Sequence, residues 1–273
     1  MWRPFAVAVL LAFAVAAPVQ PQNKEKIPTV EITWHGQSFF EIKSSKGTNI
    51  VIDPHAIEQY GRLMGCKADI VLMSHFHNDH TQLGVIENLN EKTFKDKSVQ
   101  VIAGLKGSPK TPEWNLIDTQ IKDVRIRTVG TCHDDMEGLK YGRNAVFILE
   151  VDGWKIVHLG DLGHTLSQDQ VKKIGPVDVL MIPVGGVYTI NGSQAKKVVD
   201  QLKPKEFIFP MHCGTKVYDD LLPPTEFYEE FPKDNVTASN DNKMVLAEQR
   251  KNEQRPRPTV VQLHYWPKGK KDE

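Results

Sequence analysis

The chain has 273 residues, of which 40% are hydrophobic, and its 34 Lys and Arg balance its 34 Asp and Glu. This length suits one large domain or two small ones, and the composition is that of an ordinary globular protein. A net charge near zero does not provide the basic surface that nucleic-acid-binding proteins use. We therefore expect no nucleic-acid partner, while the oligomeric state stays open.

The first 17 residues are typical of a secretory signal peptide. Arg3 is followed by an unbroken apolar run over 5–17, and Ala14-Val15-Ala16 matches the small-residue pattern at which such signals are cleaved. The run is short for a membrane-spanning helix, and no Cys follows it for lipid attachment. We therefore expect an exported protein, periplasmic or secreted, with no membrane span after cleavage; an uncleaved anchor is the alternative.

Taken in chain order, the later segments are a flexible lead-in over 18–28, one domain over 29–267 and a polar tail over 268–273. Within the domain, alternating or short continuous apolar runs predict strands. These runs lie at 30–42 (around a turn at 35–37), 48–52, 69–73, 99–103, 123–129, 145–151, 155–159, 177–182, 206–209 and 259–265. The pair Asp152-Gly153 favours a tight turn and predicts a hairpin over 146–157.

Helices are predicted over 81–89, 167–174, 193–202 and 225–231. The second begins at Ser167, a favoured N-cap residue, and stops at a Gly-Pro pair, while the third has one apolar face. A domain with many short strands and few helices is most economically built as two packed sheets with helices outside them.

A dense group of metal-ligating side chains follows the apolar run 70–73, namely His75, His77, Asp79 and His80. Neutral imidazole and carboxylate suit Zn, Fe or Mn and need no thiolate partner. Side chains alternate along an extended loop, so His75, His77 and Asp79 face one side, and His80 can turn toward a second ion. Structural zinc sites are usually closed and rich in Cys, so this group favours a catalytic site with an open position.

Three further ligand candidates each follow an apolar run, namely His133, Asp161 and His212. Each could be presented at the same edge of a sheet as the group at 75–80, which would bring them together. Weaker candidates for contact with the substrate or for support of the ligands are His164, Tyr188 and Asp135.

The weaker candidates have structural alternatives. His164, three residues after the candidate ligand Asp161, is either a substrate contact or general acid, or a loop residue. Tyr188 follows a Gly-Gly turn, where it either lines the mouth of the site or packs. Asp135 and its neighbour Asp134 either orient a metal-bound His133 through its second ring nitrogen or serve a turn.

Five other residues are expected to be structural. His158 lies within a predicted strand, and Arg143 is expected at the surface rather than on an anionic substrate. The odd number of cysteines, Cys66, Cys132 and Cys213, excludes a complete set of intramolecular disulfides. Cys132 and Cys213 each neighbour a candidate ligand, so a disulfide between them is one alternative and buried free thiols are the other.

The pattern of these residues resembles the metallo-β-lactamase-fold hydrolase superfamily. The match is HxHxDH at 75–80, followed by single His, Asp and His residues in that order. The flanking sequence is similar to the UlaG-like group of Zn-dependent hydrolases, in ITWHGQSFF at 32–40, IDP at 52–54, Gly160-Asp161 and PVGGVYTI at 183–190. The resemblance covers roughly 30–215. It implies an α+β fold, a four-layer αβ/βα sandwich with two mixed β-sheets flanked by helices and the metal site at the sheet edges.

The resemblance also implies a ligand set and a reaction. His75, His77 and His133 resemble the first metal site; Asp79, His80 and His212 resemble the second; and Asp161 would bridge them. Two divalent ions are implied, with Zn expected and Mn or Fe as alternatives. Water shared between two such ions becomes hydroxide near neutral pH and attacks a small ester-like substrate, a lactone or a phosphodiester. Asp79 would act as the catalytic residue that orients the nucleophile or relays its proton.

Departures from the family pattern leave alternatives. Gly36-Gln37 stands where the family more often has Gly-His, and Asp161 stands where many β-lactamases have Cys, which argues against antibiotic hydrolysis. Other functions on the same fold are an iron-dependent oxidoreductase such as a thiol dioxygenase, and a phospholipase-D-like lipid hydrolase. The remaining class is a non-catalytic metal-binding protein.

Overall fold

Two large mixed sheets carry the fold in the computed structural model, which describes residues 28–60, 65–247 and 256–265. The first sheet contains β1 (Thr29–Trp34), β2 (Phe40–Lys43), β3 (Asn49–Ile52), β4 (Ile70–Met73), β5 (Gln100–Ala103) and β15 (Lys243–Ala247). The second contains β8 (Asp118–Ile121), β9 (Val124–Cys132), β10 (Arg143–Val151), β11 (Trp154–His158), β12 (Val179–Pro183), β13 (Phe207–Met211), β14 (Val236–Ala238) and β16 (Thr259–Gln262). A separate hairpin joins β6 (Leu105–Ser108) to β7 (Thr111–Trp114).

The strand order is β15-β1-β2-β3-β4-β5 in the first sheet and β14-β16-β13-β12-β11-β10-β9-β8 in the second. Parallel pairing joins β3 to β4 and β4 to β5 in the first sheet, and β11 to β12 and β12 to β13 in the second. Both sheets therefore contain neighbouring strands that end at a common edge. The helices are α1 (Glu91–Lys95), α2 (Gln168–Ile174), α3 (Gly192–Leu202) and α4 (Thr225–Glu229).

Apolar side chains form the main core between the two sheets. Ile32 on β1 and Phe147 on β10 are fully buried in one cluster that both sheets supply. A second cluster buries the apolar faces of α2, α3 and α4 on the outer side of the second sheet. A third lies on the outer side of the first sheet, against Val85 and Ile86. The predicted sandwich of two mixed sheets flanked by helices is confirmed.

Local sequence signals explain the best-predicted elements. The N-cap of α3, Asn191, accepts the backbone N–H of Gln194 (2.9 Å), and the side chain of Gln194 accepts the N–H of Asn191 (3.1 Å). The predicted β-hairpin is confirmed because β10 and β11 pair up to Val151 and Trp154, around Asp152-Gly153. Both turn residues have positive φ, 49° and 76°, which the Asp-Gly pair accommodates.

The helix predicted over 81–89 is wrong. This segment forms a short 3-10 turn at Leu83–Val85, and α1 begins only after Asn90, whose side chain caps it. The N–H of Cys66 donates to the carbonyl of Val85 (3.0 Å), and the N–H of Glu87 donates to the carbonyl of Cys66 (2.9 Å). This long-range backbone pairing holds Ile86 in an extended bridge with Cys66, so a continuous helix cannot form over 81–89.

The predictions for the cysteines can be compared with the structure, whereas those for the chain termini cannot. All three cysteines are buried free thiols, so Cys132 and Cys213 form no disulfide. The predicted signal peptide over 1–17, the lead-in as far as residue 27 and the tail over 268–273 lie outside the described residues. None of the helices in the described ranges has the length and apolar composition needed to cross a bilayer.

Candidate metal centre

The candidate ligands lie where four strands end at one edge of the sandwich. Strand β4 ends at Met73, immediately before the group at 75–80. In the second sheet, β9 is followed by His133, β11 leads to Asp161 and β13 is followed by His212. Both sheets therefore contribute ligands, as the carboxyl ends of neighbouring strands commonly do in α/β proteins.

The structure brings the seven predicted ligand residues together in two groups. One contains His75, His77 and His133, and the other contains Asp79, His80, Asp161 and His212. Within each group, one potential ligand atom per residue lies within 4.8 Å of those of the other members. His77 is exposed and the side chain of Asp79 is 37% exposed, so solvent and substrate can reach this otherwise buried cluster.

Asp161 joins the two groups. Its Oδ2 atom lies 3.1 Å from the Nε2 atoms of His80, His133 and His212, and 3.9 Å from Nε2 of His75. A single carboxylate oxygen is therefore surrounded by imidazoles from both groups. This is the placement expected of a carboxylate that holds two cations close to each other.

The electrostatics of the centre suit metal ligation. Burial holds the pKa of His75 well below its ordinary value, so its imidazole is neutral. Burial alone would raise the pKa of Asp161, but His212 and His80 place it well below the usual range. Burial would lower the pKa of His80, but Asp161 and Asp53 raise it well above the usual value, so a cation bound there would displace a proton.

The donor set fits divalent metal ions. Imidazole and carboxylate ligands in groups of three and four match the ligands of catalytic zinc sites. The buried Nδ1 atoms of His133 and His212 have no hydrogen-bond partner among the described residues. Their Nε2 atoms, which point at Asp161, are thus the ones that face the shared centre.

Asp53 lies beside His75 and His80 and helps to position them. It was not among the predicted site residues. Its Oδ1 accepts the backbone N–H of Ser74 (2.6 Å), and its Oδ2 accepts the Ser74 hydroxyl (2.7 Å). The hydroxyl in turn lies 2.9 Å from Nδ1 of His75, which therefore donates. The lone pair that could bind a metal is then on Nε2 of His75, which lies 3.0 Å from Nδ1 of His77. Nδ1 of His80 is 3.0 Å from Oδ2 of Asp53, although the atoms are not aligned as a hydrogen bond.

Asp161 is held in place by two further residues that the sequence did not single out. The Ser38 hydroxyl donates to its Oδ1 (3.1 Å), and its N–H donates to the side-chain oxygen of Asn144 (3.1 Å). The Asn144 amide nitrogen donates to Thr131 (2.8 Å) and to the carbonyl of Leu159 (2.9 Å). Asn144 is fully buried, so each of these bonds forms without competition from water.

Asn144→Ala should lower the free energy of unfolding by about 3 kcal/mol, because it leaves buried donors and acceptors unpaired. The variant should also bind metal more weakly, since the backbone of Asp161 loses its support. Urea unfolding and metal titration measure the two effects. The control is Asn88→Ala, because Asn88 bonds to both backbone groups of Ala68 (2.9 and 2.8 Å) away from the centre. Equal metal affinity in the two variants would show that Asn144 does not position Asp161.

The structure corrects the prediction that Asp135 supports a ligand. Asp135 is exposed, and the Nδ1 atom of His133 has no hydrogen-bond partner among the described residues. Asp134 takes the alternative role in a turn, because its carboxylate accepts four backbone N–H groups at 2.7–2.9 Å. Asp134 therefore serves the loop, and neither acid bonds to the imidazole of His133.

His164 is also corrected as a candidate general acid. Its Nε2 accepts the backbone N–H of Cys132 (3.1 Å), and its Nδ1 donates to the carbonyl of Thr165 (2.8 Å). Both ring nitrogens are thus engaged by the backbone. The structural role of His158 is confirmed, since its Nε2 donates to the carbonyl of Ser38 (2.9 Å) and its Nδ1 accepts the N–H of Gly160 (3.1 Å).

The remaining two residues considered in the sequence are Tyr188 and Arg143. Tyr188 is 48% exposed, and its ring meets the edge of Tyr141, which packs on His133. Arg143 lies over the ring of Trp114 (4.4 Å) and donates to the carbonyl of Pro112 (2.9 Å), so its guanidinium packs on β7.

A cavity of about 700 Å³ lies beside the centre rather than at it. Its walls include Cys213 and Thr215, which follow the ligand His212 in the chain. Other wall residues are Trp34, Leu222, Tyr228, Leu263 and Tyr265. The open side of the metal centre, marked by His77 and Asp79, is therefore distinct from this cavity.

Comparison with known proteins agrees with the fold and the ligand pattern. The family model of the beta-lactamase superfamily domain matches residues 31–212. A UPF0173 metal-dependent hydrolase from Thermococcus onnurineus is 30% identical over 68% of this chain and 85% of its own length. A metal-dependent hydrolase from Pyrococcus furiosus shows the same identity and coverage.

Solved structures give the same assignment. A Thermotoga maritima protein described as a Zn-dependent hydrolase of the metallo-beta-lactamase superfamily is 32% identical, with a TM-score of 0.60 over 86% of this chain and 98% of that one. A metal-dependent hydrolase from Parabacteroides distasonis shares the fold at 22% identity, with a TM-score of 0.53 over 74% of this chain and 87% of that one. The chain therefore belongs to the metallo-beta-lactamase superfamily and is a metal-dependent hydrolase.

Proposed function

We propose that the protein hydrolyses a small neutral ester, specifically a lactone, at a centre of two divalent ions, with zinc as the expected metal. The observation that carries this proposal is the convergence of both ligand groups on Oδ2 of Asp161. His75, His77 and His133 would hold one ion, and Asp79, His80 and His212 the other, with Asp161 between them. When bound, such ions make water nucleophilic near neutral pH and polarise the carbonyl under attack.

Asp79 is the residue proposed to handle the proton. Burial would raise the pKa of Asp79, but neighbouring His80 lowers it to about 2, so the side chain is a carboxylate at neutral pH. Its partial exposure places it where the centre meets solvent. It would accept the proton lost by the attacking water and return it to the alkoxide that leaves when the lactone ring opens.

The charges around the centre favour a neutral substrate over a phosphodiester. Arg143, the arginine considered for binding an anion, is held by Trp114 and Pro112. Exposed acids follow the ligands in the chain, namely Asp135 and Glu137 after His133 and Asp219 and Asp220 after His212. They outnumber the exposed lysines of the same two stretches, Lys140 and Lys216. A phosphodiester anion would be repelled by such carboxylates, whereas an uncharged ester would not.

We also propose that residues 1–17 direct export and are removed, so that the domain over 29–267 works in the periplasm or outside the cell. This proposal rests on the charged start, the apolar run and the Ala-x-Ala pattern of the sequence. Sequencing the N-terminus of the protein recovered outside the cytoplasm tests it, since an intact Met1 would contradict cleavage.

The function is tested on protein purified without added metal or chelator. Elemental analysis should find two zinc ions per chain, and the protein should open simple γ-lactones at a rate that falls on treatment with a chelator. Asp79→Ala should lower kcat by about 10²–10⁴-fold, the range typical for loss of a proton-transfer group. The control is Asp169→Ala on the exposed face of α2, where the side chain forms an ion pair with Lys173 (2.7 Å).

Two results would overturn the proposal. One iron per chain without lactone hydrolysis would favour an oxidoreductase. A higher kcat/KM for bis(p-nitrophenyl) phosphate than for every lactone tested would replace the lactone by a phosphodiester.

A further inference from the structure

We infer that the lactone substrate carries an apolar chain, which binds to a set of exposed apolar side chains beside the metal centre. This inference rests on the proposed function and extends it to the substrate class. The set, named here the apolar rim, consists of Met136, Leu139, Val187, Tyr188 and Leu222.

Most of the exposed large hydrophobic side chains among the described residues belong to the rim. Its members are between 42% and 82% exposed, and Leu139 is the most exposed of them. Among the described residues, the other large hydrophobic side chains with such exposure are Phe94 on α1, Leu116 between β7 and β8, and Val245 on β15, and none of these segments carries a ligand. Single exposed hydrophobic residues are ordinary, whereas a group of them beside a reactive centre indicates a binding surface.

Contacts connect the rim to ligands on both sides of the centre. The ring of Tyr141 lies 5.5 Å from that of His133, and Tyr188 packs edge-on against Tyr141 at 5.8 Å. On the other side, Gly185 is packed against the carbonyl of His212 so closely that a Cβ atom would clash with it. Leu222 donates its N–H to the carbonyl of Gly185 (3.2 Å).

The loops that bear the rim are fixed by hydrogen bonds. Asp134 accepts the N–H groups of Met136, Gly138, Lys140 and Tyr141, which ties the loop after β9 to one buried carboxylate. The loop around Val187 is fixed because Val187 donates to Gly185 (2.9 Å) and Ile190 donates to Leu162 (3.0 Å). These side chains are exposed in the arrangement that the backbone bonds fix, so contact with a ligand would remove them from water.

The charges on the same loops favour a chain on a small molecule over a bilayer. Asp135 and Glu137 flank Met136, and Asp219 and Asp220 precede Leu222 by three and two positions. These four acids outnumber the two lysines of the same loops, Lys140 and Lys216. These carboxylates are exposed and would be repelled by an anionic membrane surface. A chain attached to the lactone would instead reach the rim in the same binding event that brings the ring to the ligands.

The test uses the full-length enzyme and γ-butyrolactones that carry a methyl, butyl or octyl group at C4. A fully buried methylene improves binding by about four-fold. Because the rim is open to solvent on one side, it should bury each methylene of the chain by about half, so kcat/KM should rise by about two-fold per methylene. In the double variant Met136→Ser/Leu139→Ser, the ratio of kcat/KM for the octyl and methyl lactones should fall by about ten-fold. Leu116→Ser is the matched control, because Leu116 is 72% exposed outside the rim, and this ratio should stay as in the unsubstituted enzyme.

The outcomes separate this inference from the proposed function. Hydrolysis of all three lactones with equal kcat/KM would overturn the inference and leave the lactonase intact. No metal-dependent hydrolysis of any of them would overturn the proposed function itself. If the double variant keeps the chain-length ratio but loses binding to anionic vesicles or changes from a dimer to a monomer, the rim is a membrane or subunit contact and the inference is wrong.

Discussion

Asp161→Asn is expected to remove most of the bound metal and to lower kcat/KM by about a thousand-fold, the scale found when a group that stabilises reacting charge is lost. The substitution keeps the volume of the side chain but replaces the carboxylate oxygen that lies 3.1 Å from three histidines. A neutral amide cannot balance two cations, and its NH₂ group would face them if it took the place of Oδ2. Elemental analysis and lactone kinetics measure the two losses.

The control for this variant is Asp178→Asn. Asp178 is a buried carboxylate in the same half of the molecule, and it accepts the N–H of Lys155 (2.9 Å) away from the ligands. Its replacement should cost stability without removing metal. If Asp161→Asn kept both its metal and its activity, the shared carboxylate would not be the link between two ions.

Gly163→Ala should lower the free energy of unfolding by about 3 kcal/mol, near the upper end of the usual cost of overpacking. A Cβ atom on Gly163 would lie well inside 3.0 Å of backbone atoms of His133 and Asp134, which cannot rotate away as a side chain would. The strain acts on the peptide that positions His133, so metal affinity should fall as well. Urea unfolding of the metal-free and metal-loaded protein separates the two effects.

Gly84→Ala is the matched control, because a Cβ atom on Gly84 meets nothing within 4 Å and Gly84 is not among the glycines with positive φ. Its stability should change by less than about 0.5 kcal/mol, as for other unconstrained surface positions. Equal stability of the two variants would mean that the loop after β11 moves aside without cost.

The elements that were predicted correctly are those whose sequence signal lies within one continuous stretch of the chain. The apolar runs that became β4, β10 and β12 are buried along their length, so composition alone indicates strands there. The hairpin β6–β7 and strand β8 were missed because their exposed residues resemble those of polar loops. The segment 81–89 was assigned to a helix because nothing local indicates its pairing with Cys66.

In the metal centre, too, residues that are adjacent in the chain were predictable and residues that act from a distance in the chain were not. The ligands His75, His77, Asp79 and His80 are adjacent in the chain, so their pattern is visible without a structure. Asn144 acts on Asp161 from 17 positions away and is an ordinary polar residue in its own segment. Ser38 acts from 123 positions away, and its one sequence signal was its place in the ITWHGQSFF run at 32–40. Asp53 stood in the quoted IDP run, which was the one sequence signal that pointed to it.

Because the ligands come from both sheets, the order in which the chain folds limits when metal can bind. The group at 75–80 follows β4 of the first sheet, whereas His133, Asp161 and His212 follow strands of the second. The full set is assembled only when the sheets have packed, so an ion gains most of its affinity late in folding. Bound metal should then act on kinetics mainly by slowing the separation of the two sheets, and it should leave the earlier steps of folding almost unaffected.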